Sequence, residues 1–387
     1  MLSRPLLYLH MHAPPTPGGS PVLLHRLLDG LPPSQLEIVT AWNLRRPVRA
    51  GRPLVLRGRY HFVPKKGLAG NRFRVGRAVN AAVNVTLAKL AGITAARVAG
   101  GTGAGWTLTV ADEGFSVIAG DLCARRAEIP HVIMIFDLWE ENAYSGPERR
   151  IAADLEPLLF PRAAKLVVHC REMAEHYRRK HGLEAAIVPT TVELWQPEPR
   201  PRREPPYEVL FVGTVYWAQE DALRRLARAC RSLPDVRLTV LGSQGATELR
   251  AFGVEPDRVE PSLPQDMLRR RLEQADILFL GLSFDSSHPD VVRTASPAKL
   301  PEYMASGTPI VIHAPRGSHV AEYAREAEFA EVVDEASDEL LAAAIRRVLD
   351  DRSAAAERAA RARRLAEKRH DVEVVRVRFC ELLEALR

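Results

Sequence analysis

Between Gln196 and Pro206 the chain reads Gln-Pro-Glu-Pro-Arg-Pro-Arg-Arg-Glu-Pro-Pro. Proline alternating with charge supplies neither the amides for a ladder nor the side chains for a core, so an extended linker is expected here. It divides the sequence into two series that read the same way. Short apolar runs alternate with helical runs, the pattern of parallel strands joined by crossover helices. The expected fold class is therefore α/β, with two doubly wound domains. The first spans residues 1–194, the linker 195–206, the second domain 207–369, and a terminal helix 370–387.

In the first series, Pro5 to Met11 reads as a buried strand, followed by a loop containing Gly18 and Gly19 and a helix over Val22 to Leu31. That order suits close backbone approach to a ligand, and equally a plain turn. Val79 to Leu90 and Phe115 to Arg126 read as helices, and Trp106 to Ala111 as a strand. His131 to Phe136 is a further strand, with Asp137 and Glu140 just past its carboxyl end, where open parallel sheets hold ligands. Asp137 is a candidate to orient or deprotonate a hydroxyl; its plain reading is a cap on the next turn. In the second series, strands run over Glu208 to Val212, Val236 to Leu241 and Asp276 to Gly281. The exit turns Gly213–Thr214 and Gly242 follow the first two of them.

With 387 residues, each half can bury its own core. Cys123, Cys170, Cys230 and Cys380 form no Cys-x-x-Cys pair, and the start of the chain lacks the apolar region of a leader. Both point to reduced thiols in a cytoplasmic protein. No apolar run approaches a membrane span. A net charge of +6 favours acidic partners, but no zinc spacing or RNA-binding signature accompanies it, so nucleic acid is not expected. Lys65, Lys66, Arg72, Arg74 and Arg77 cluster around Phe73. A solvated face is the plain reading; docking to anionic lipid head groups or to a phosphate-bearing acceptor is the sharper one. His10, His12, His61, His131 and His169 are scattered without metal-ligand spacing and read as structural; no metal is expected.

The most informative stretch is Ser-Pro-Ala-Lys-Leu-Pro-Glu-Tyr-Met-Ala-Ser-Gly-Thr-Pro-Ile-Val, residues 296–311. Ser296 and Pro297 suit a cap and a first helical position, Gly307 a stop, and Thr308 to His313 a buried strand. Pro301 is tolerated only in a first turn, which moves the helix start to Ala298–Leu300. Free amides around Ser296 to Lys299, with the Lys299 charge, suit a phosphate. Glu302, one turn on, can accept two hydroxyl hydrogen bonds from a sugar ring. Phosphate donors, a cation and a diol acceptor on one short helix suggest a nucleotide or nucleotide sugar.

These residues resemble the donor-site motif of retaining GT-B glycosyltransferases of the family 4 type, and more closely the subgroup with a Pro-Ser-Lys-x-x-Glu-Tyr form. The resemblance implies two Rossmann-like domains facing a cleft, with the terminal helix crossing back to the first domain. It implies that Lys299 and the helix N-terminus hold a diphosphate, with Ser296, Pro297, Ala298 and Leu300 lining the donor site, and that Glu302 binds the ribose. Where the commoner motif carries another Glu, this chain has Thr294. Phe136-Asp-Leu-Trp139 is similar to the subgroup's Asp-Leu-Trp-Pro segment, with Phe136 where many relatives carry His. Pro189-Thr-Thr-Val-Glu193 resembles the segment that closes the first domain. Relatives carry basic residues after the Gly213 turn; here none occurs up to Asp221, and Arg293 or Lys299 is left to supply that charge.

The implied activity is transfer of a sugar from a nucleotide diphosphate-sugar to an acceptor hydroxyl, with retention, no cofactor and no metal. Domain closure over the hinge would exclude water. The acceptor is a sugar, a lipid-linked sugar or a small molecule. Two other readings stand beside it: a non-catalytic nucleotide-sugar-binding protein or partner subunit, and a sugar-nucleotide epimerase.

Overall fold

The computed structural model describes residues 2–11, 13, 19–40, 55–64, 74–112, 114–142, 146–198 and 204–386. The chain forms two compact units, one of residues Met1–Thr191 with Val372–Arg387 and the other Val192–Asp371.

The first unit runs β1 (Leu6–Leu9), α1 (Gly19–Leu28), β2 (Leu36–Thr40), β3 (Arg59–Phe62), α2 (Arg74–Thr102), β4 (Trp106–Val110), α3 (Phe115–Ala127), β5 (His131–Met134), α4 (Gly146–Leu159), β6 (Lys165–Val168), α5 (Arg171–His181) and β7 (Ala185–Ile187). Its strands are parallel, in the order β3-β2-β1-β4-β5-β6-β7. Every residue of β1, β2, β4 and β5 is buried, as expected of strands covered on both faces. The helix expected over Val79 to Leu90 extends from Arg74 to Thr102. Its continuation is built of small residues, whose weak apolar signal hides a real contact. Ala88, Ala91, Ala95 and Ala99 are buried in the cluster that holds Phe115, Ala119 and Cys123 of α3. A Cβ on Gly92 would come within 2.6 Å of the Ala119 carbonyl oxygen. The helices therefore pack at backbone distance.

The second unit runs β8 (Tyr207–Val212), α6 (Glu220–Arg231), β9 (Val236–Gly242), α7 (Ala246–Ala251), β10 (Arg258–Pro261), α8 (Gln265–Gln274), β11 (Ile277–Gly281), α9 (Pro289–Thr294), α10 (Lys299–Ala305), β12 (Ile310–His313), α11 (His319–Glu326), β13 (Glu331–Val333), α12 (Asp338–Asp350) and α13 (Arg352–Arg369). Its parallel order is β10-β9-β8-β11-β12-β13, so the winding reverses between β8 and β11. Successive residues of β8 feed opposite cores: Val209 and Phe211 enter one, Leu210 the other. Trp195, at the start of the expected linker, donates its indole N–H to Glu273 at 2.5 Å and packs on this unit's core. Residues 199–203 of that linker lie outside the described residues.

The last helix, α14 (Val372–Glu384), belongs to the first unit. Val375, Phe379 and Leu383 share a core with Leu24, Leu27 and Leu28 of α1. Arg376 donates to the carbonyls of Arg26 (2.7 Å) and Leu27 (3.1 Å), which satisfies the open end of α1. All four cysteines are buried and free. Among the described residues no helix is long and apolar enough to cross a membrane. Lys65, Lys66, Arg72 and Phe73 of the basic cluster lie outside the described residues; Arg74 and Arg77 open α2, their side chains undescribed.

Candidate functional site

In the second unit, ligand-binding positions are expected outside the carboxyl ends of β8 and β11, where the winding reverses. β8 leaves the sheet at Val212, and Gly213 turns it with φ +124°, a conformation that favours glycine. Its amide donates to the Leu241 carbonyl at 2.8 Å. A Cβ on Gly213 would stand 3.0 Å from Lys299 Nζ, and one on Gly242 would stand 2.5 Å from the Gly213 carbonyl oxygen. The exits of β8 and β9 and the start of α10 therefore meet with only backbone and one amine between them.

Lys299 is half-buried, its Nζ 4.1 Å from the centroid of the Phe211 ring. Burial lowers its pKa to about 7, and nearby Glu302 only partly pulls it back. The next residue of α10, Tyr303, accepts a hydrogen bond from the Val212 amide at 3.0 Å and fixes helix to strand. Burial pushes the Tyr303 phenol up, so it stays neutral. Glu302 is 9% exposed, and Oε1 of its carboxylate accepts from the Gln265 side-chain amide at 2.9 Å. Gln265 begins α8 and reaches Glu302 across 37 positions, a pairing for which sequence spacing carries no signal.

The helix start differs from the expected cap. Ala298, not Ser296, stands at the cap, and the first helical residue is Lys299, within the Ala298–Leu300 start that Pro301 leads one to expect. Pro301 offers no N–H to the Pro297 carbonyl, which accepts instead from Leu300 at 3.0 Å in a tighter turn. Ser296 and Pro297 remain partly exposed on the approach, while Leu300 is buried in the core. The stop at Gly307 is found, with φ +70°. Thr214 is exposed, its hydroxyl 3.4 Å from that of Ser243. Behind it Gln244 clamps Val215 through both backbone groups, at 2.6 and 3.0 Å. Thr294 is buried and donates its hydroxyl to the Asp290 carbonyl (2.9 Å) of its own helix, and Arg293 pairs with Asp290 at 3.1 Å.

In the first unit Asp137 is exposed just past β5, and the Phe136 ring lies tilted against that of His169, their centroids 4.5 Å apart. Glu140 is not left for a substrate. Lys180 binds Glu140 (2.8 Å), Glu141 (2.7 Å) and the fully buried Glu156. His181 adds a contact to Glu156 at 3.0 Å and His176 one to Glu141 at 3.2 Å. The network ties α4 and α5 to the segment that carries Asp137. Gly19 opens α1, and Gly18 lies outside the described residues, as does His12. His10 is buried between the Tyr8 hydroxyl (2.8 Å) and Asp112 (2.6 Å), paired at both ring nitrogens. His61 meets Glu37 at 2.6 Å and His131 meets Thr109 at 2.8 Å, in keeping with structural roles.

Residues 206–351 match the family model for glycosyl transferases group 1. No curated protein matches the chain by sequence. Sucrose-phosphate synthase from Thermosynechococcus elongatus is similar in structure, with 15% identity, a TM-score of 0.71 and 99% of each chain covered. Anabaena HepE in complex with UDP and glucose has 14% identity and a TM-score of 0.66, with 98% of this chain and 99% of that one covered. The α,α-trehalose 6-phosphate synthase of Burkholderia multivorans has 12% identity and a TM-score of 0.64, with 99% and 97% covered. At these identities the likeness is one of fold, and the fold is GT-B: two Rossmann-like α/β domains with parallel sheets.

Proposed function

We propose that this chain is a glycosyltransferase that moves a sugar from a nucleotide diphosphate-sugar to an acceptor hydroxyl, with retention of anomeric configuration. The observation that carries the reading is the meeting of Gly213, Gly242, Lys299 and Glu302 at the carboxyl end of the second sheet. Glycines that admit close backbone approach, an amine beside them and a carboxylate one turn on are what a nucleoside diphosphate requires. The match over residues 206–351 and the UDP complex of HepE support the same ligand class.

In this reading the diphosphate lies against the Gly213 turn with Lys299 on its oxygens. The amine is poised to gain a proton as the dianion arrives, and it binds the leaving diphosphate more strongly as charge develops there. Glu302 accepts from the ribose hydroxyls. The departing phosphate takes the acceptor's proton on the face it leaves, without a divalent metal. Asp137 of the first unit orients the acceptor, a sugar or lipid-linked hydroxyl in glycan, polysaccharide or glycolipid synthesis, with the protein cytoplasmic or at the inner membrane face.

Calorimetry with UDP, GDP and ADP tests the donor site. One nucleotide is expected to bind at micromolar strength, and Lys299→Ala and Glu302→Ala each to weaken it by roughly 1–3 kcal/mol. Absence of binding, or variants that bind like wild type, would overturn the assignment. Anomeric couplings of the transfer product, read by NMR, then decide retention. One observation favours a second reading, a protein that binds nucleotide sugar without turning it over. Thr294 and Arg293 are engaged within their own helix, and residues 213–221 hold no basic side chain. Donor binding without transfer or hydrolysis would favour that reading.

A further inference from the structure

We propose that Tyr216 is a specificity-determining residue, a rigid aromatic shelf on which the sugar of the donor stacks, and that the shelf admits a neutral sugar and rejects a uronate. The inference rests on the donor-site reading above and names the sugar class of its ligand.

The shelf is built from the two loops that leave the second sheet where its winding reverses, one after β8 and one after β11. They are fastened to each other. The Ser283 amide donates to the Ala218 carbonyl at 2.8 Å, and the Ser283 hydroxyl to the Trp217 carbonyl at 2.9 Å. The Phe284 amide donates to the Asp221 carboxylate at 3.0 Å, and Gln244 clamps Val215. Backbone held at Val215, Trp217 and Ala218 leaves Tyr216 between them little freedom to lose.

Three rings complete the shelf. Trp217 packs on the core that contains Leu282 and Leu300, its ring 5.0 Å from that of His288. Tyr216 meets Trp217 edge to face, with centroids 5.8 Å apart and planes at 89°. Tyr216 is nevertheless 44% exposed. A ring fixed by its neighbours yet open to solvent gives large contact area at small entropic cost when a ligand covers it. One face of a sugar ring is made of C–H groups, which suits an aromatic face.

Tyr216 stands three residues beyond the Gly213 turn, within about 11 Å of it along the chain. A Cβ on Gly213 would lie 3.0 Å from the Lys299 amine, so a diphosphate held by turn and amine carries its sugar within reach of Tyr216.

The charge of the loops sets the sugar class. Residues 213–221 read Gly-Thr-Val-Tyr-Trp-Ala-Gln-Glu-Asp and residues 282–288 Leu-Ser-Phe-Asp-Ser-Ser-His, with acids in both and no lysine or arginine in either. A uronate would bring its carboxylate to the negative face of a ring and toward the exposed Asp285, with no counter-ion from these loops. A neutral hexose meets no such repulsion.

The test measures affinities of UDP, GDP and ADP, of their hexose conjugates and of the matching uronate conjugates, for wild type, Tyr216→Phe and Tyr216→Ala. Melting curves establish that the variants fold. Wild type is expected to bind at least one neutral conjugate about tenfold or more tighter than its uronate. Tyr216→Ala should weaken that conjugate about three- to tenfold and move the bare nucleotide by less than about twofold. Tyr216→Phe keeps the ring and should bind like wild type. Conjugate and bare nucleotide weakened in step would mark a structural role and overturn the proposal, as would a loss in Tyr216→Phe equal to that in Tyr216→Ala. Were Tyr216→Ala not to fold, the wild-type preference still decides: a neutral conjugate bound no better than its uronate overturns the proposal while the donor site stands. Wild type binding no nucleotide would overturn both.

Discussion

The Lys299 amine stands 4.1 Å from the centroid of the Phe211 ring, over a residue of the strand that ends at the Gly213 turn. An aromatic face attracts an ammonium without returning what is lost on leaving water, so burial still lowers the amine to about 7. Removing the amine therefore separates binding from stability.

An amine whose folded pKa lies below its unfolded value binds fewer protons folded than unfolded. Between about 7 and the ordinary 10.5 the contribution of Lys299 to stability thus rises with pH, and below that window its charge is a net cost. Lys299→Met is expected to stabilise the ligand-free protein at neutral pH by about 0.5–2 kcal/mol, a gain that shrinks toward pH 10. Nucleotide binding by the same variant should fall. In wild type at pH 8, binding should take up a proton, seen as a dependence of calorimetric heat on buffer ionisation enthalpy; the uptake should vanish in the variant.

Gly213→Ala places a side chain at φ +124° and 3.0 Å from the Lys299 amine. Strain of this kind costs about 1–3 kcal/mol, to be read as a lower denaturation midpoint. Diphosphate affinity should fall with it, because the amine must move.

Lys180→Met leaves the fully buried Glu156 and its neighbours Glu140 and Glu141 without their shared ammonium. Breaking a buried pair from one side is worth about 3–5 kcal/mol, and denaturant unfolding of the variant should show it. In wild type, burial pushes the Glu141 carboxyl up, but hydrogen bonds from His176 and Lys180 outweigh it and hold the group at about 2. Its stabilising contribution is complete above the ordinary 4.5 and is lost as pH falls toward 2. An acid titration of stability over that window should be flatter in the variant.

Thr294→Glu restores the residue type of the commoner motif at a position that is 1% exposed. It removes the hydroxyl's bond to the Asp290 carbonyl and forces a carboxylate into an enclosed space. A loss of about 1–3 kcal/mol in stability is expected, with no gain in nucleotide-sugar affinity. A gain in affinity would show that the position does face the donor.

The strands were legible where burial on both faces leaves a continuous apolar run, as in β1, β5, β11 and β12. The turn at Gly213 and the Lys299–Glu302 spacing were legible because both are local. What failed was either small or distant. The second half of α2 is written in alanine and glycine, whose meaning appears only when Ala119 lies against Gly92. Glu140 reads as a free acid at a strand end until Lys180 is brought to it by α5. The Gln265 contact to Glu302 depends on where β10 ends, and β10 itself lacked the apolar run by which a strand is recognised.

The first unit is completed by α14, which the ribosome makes only after all of Val192–Asp371. At about 5–20 residues per second, the hydrophobic face of α1 waits some tens of seconds, roughly 20–70, for Phe379 and Leu383. During that interval the second unit can fold as a contiguous segment, while the earlier-made half remains unfinished. A chain truncated before Val372 should therefore expose the Leu24–Leu27–Leu28 surface to an apolar-surface dye, and the full chain should not. In this fold the order of synthesis and the order of completion are opposite.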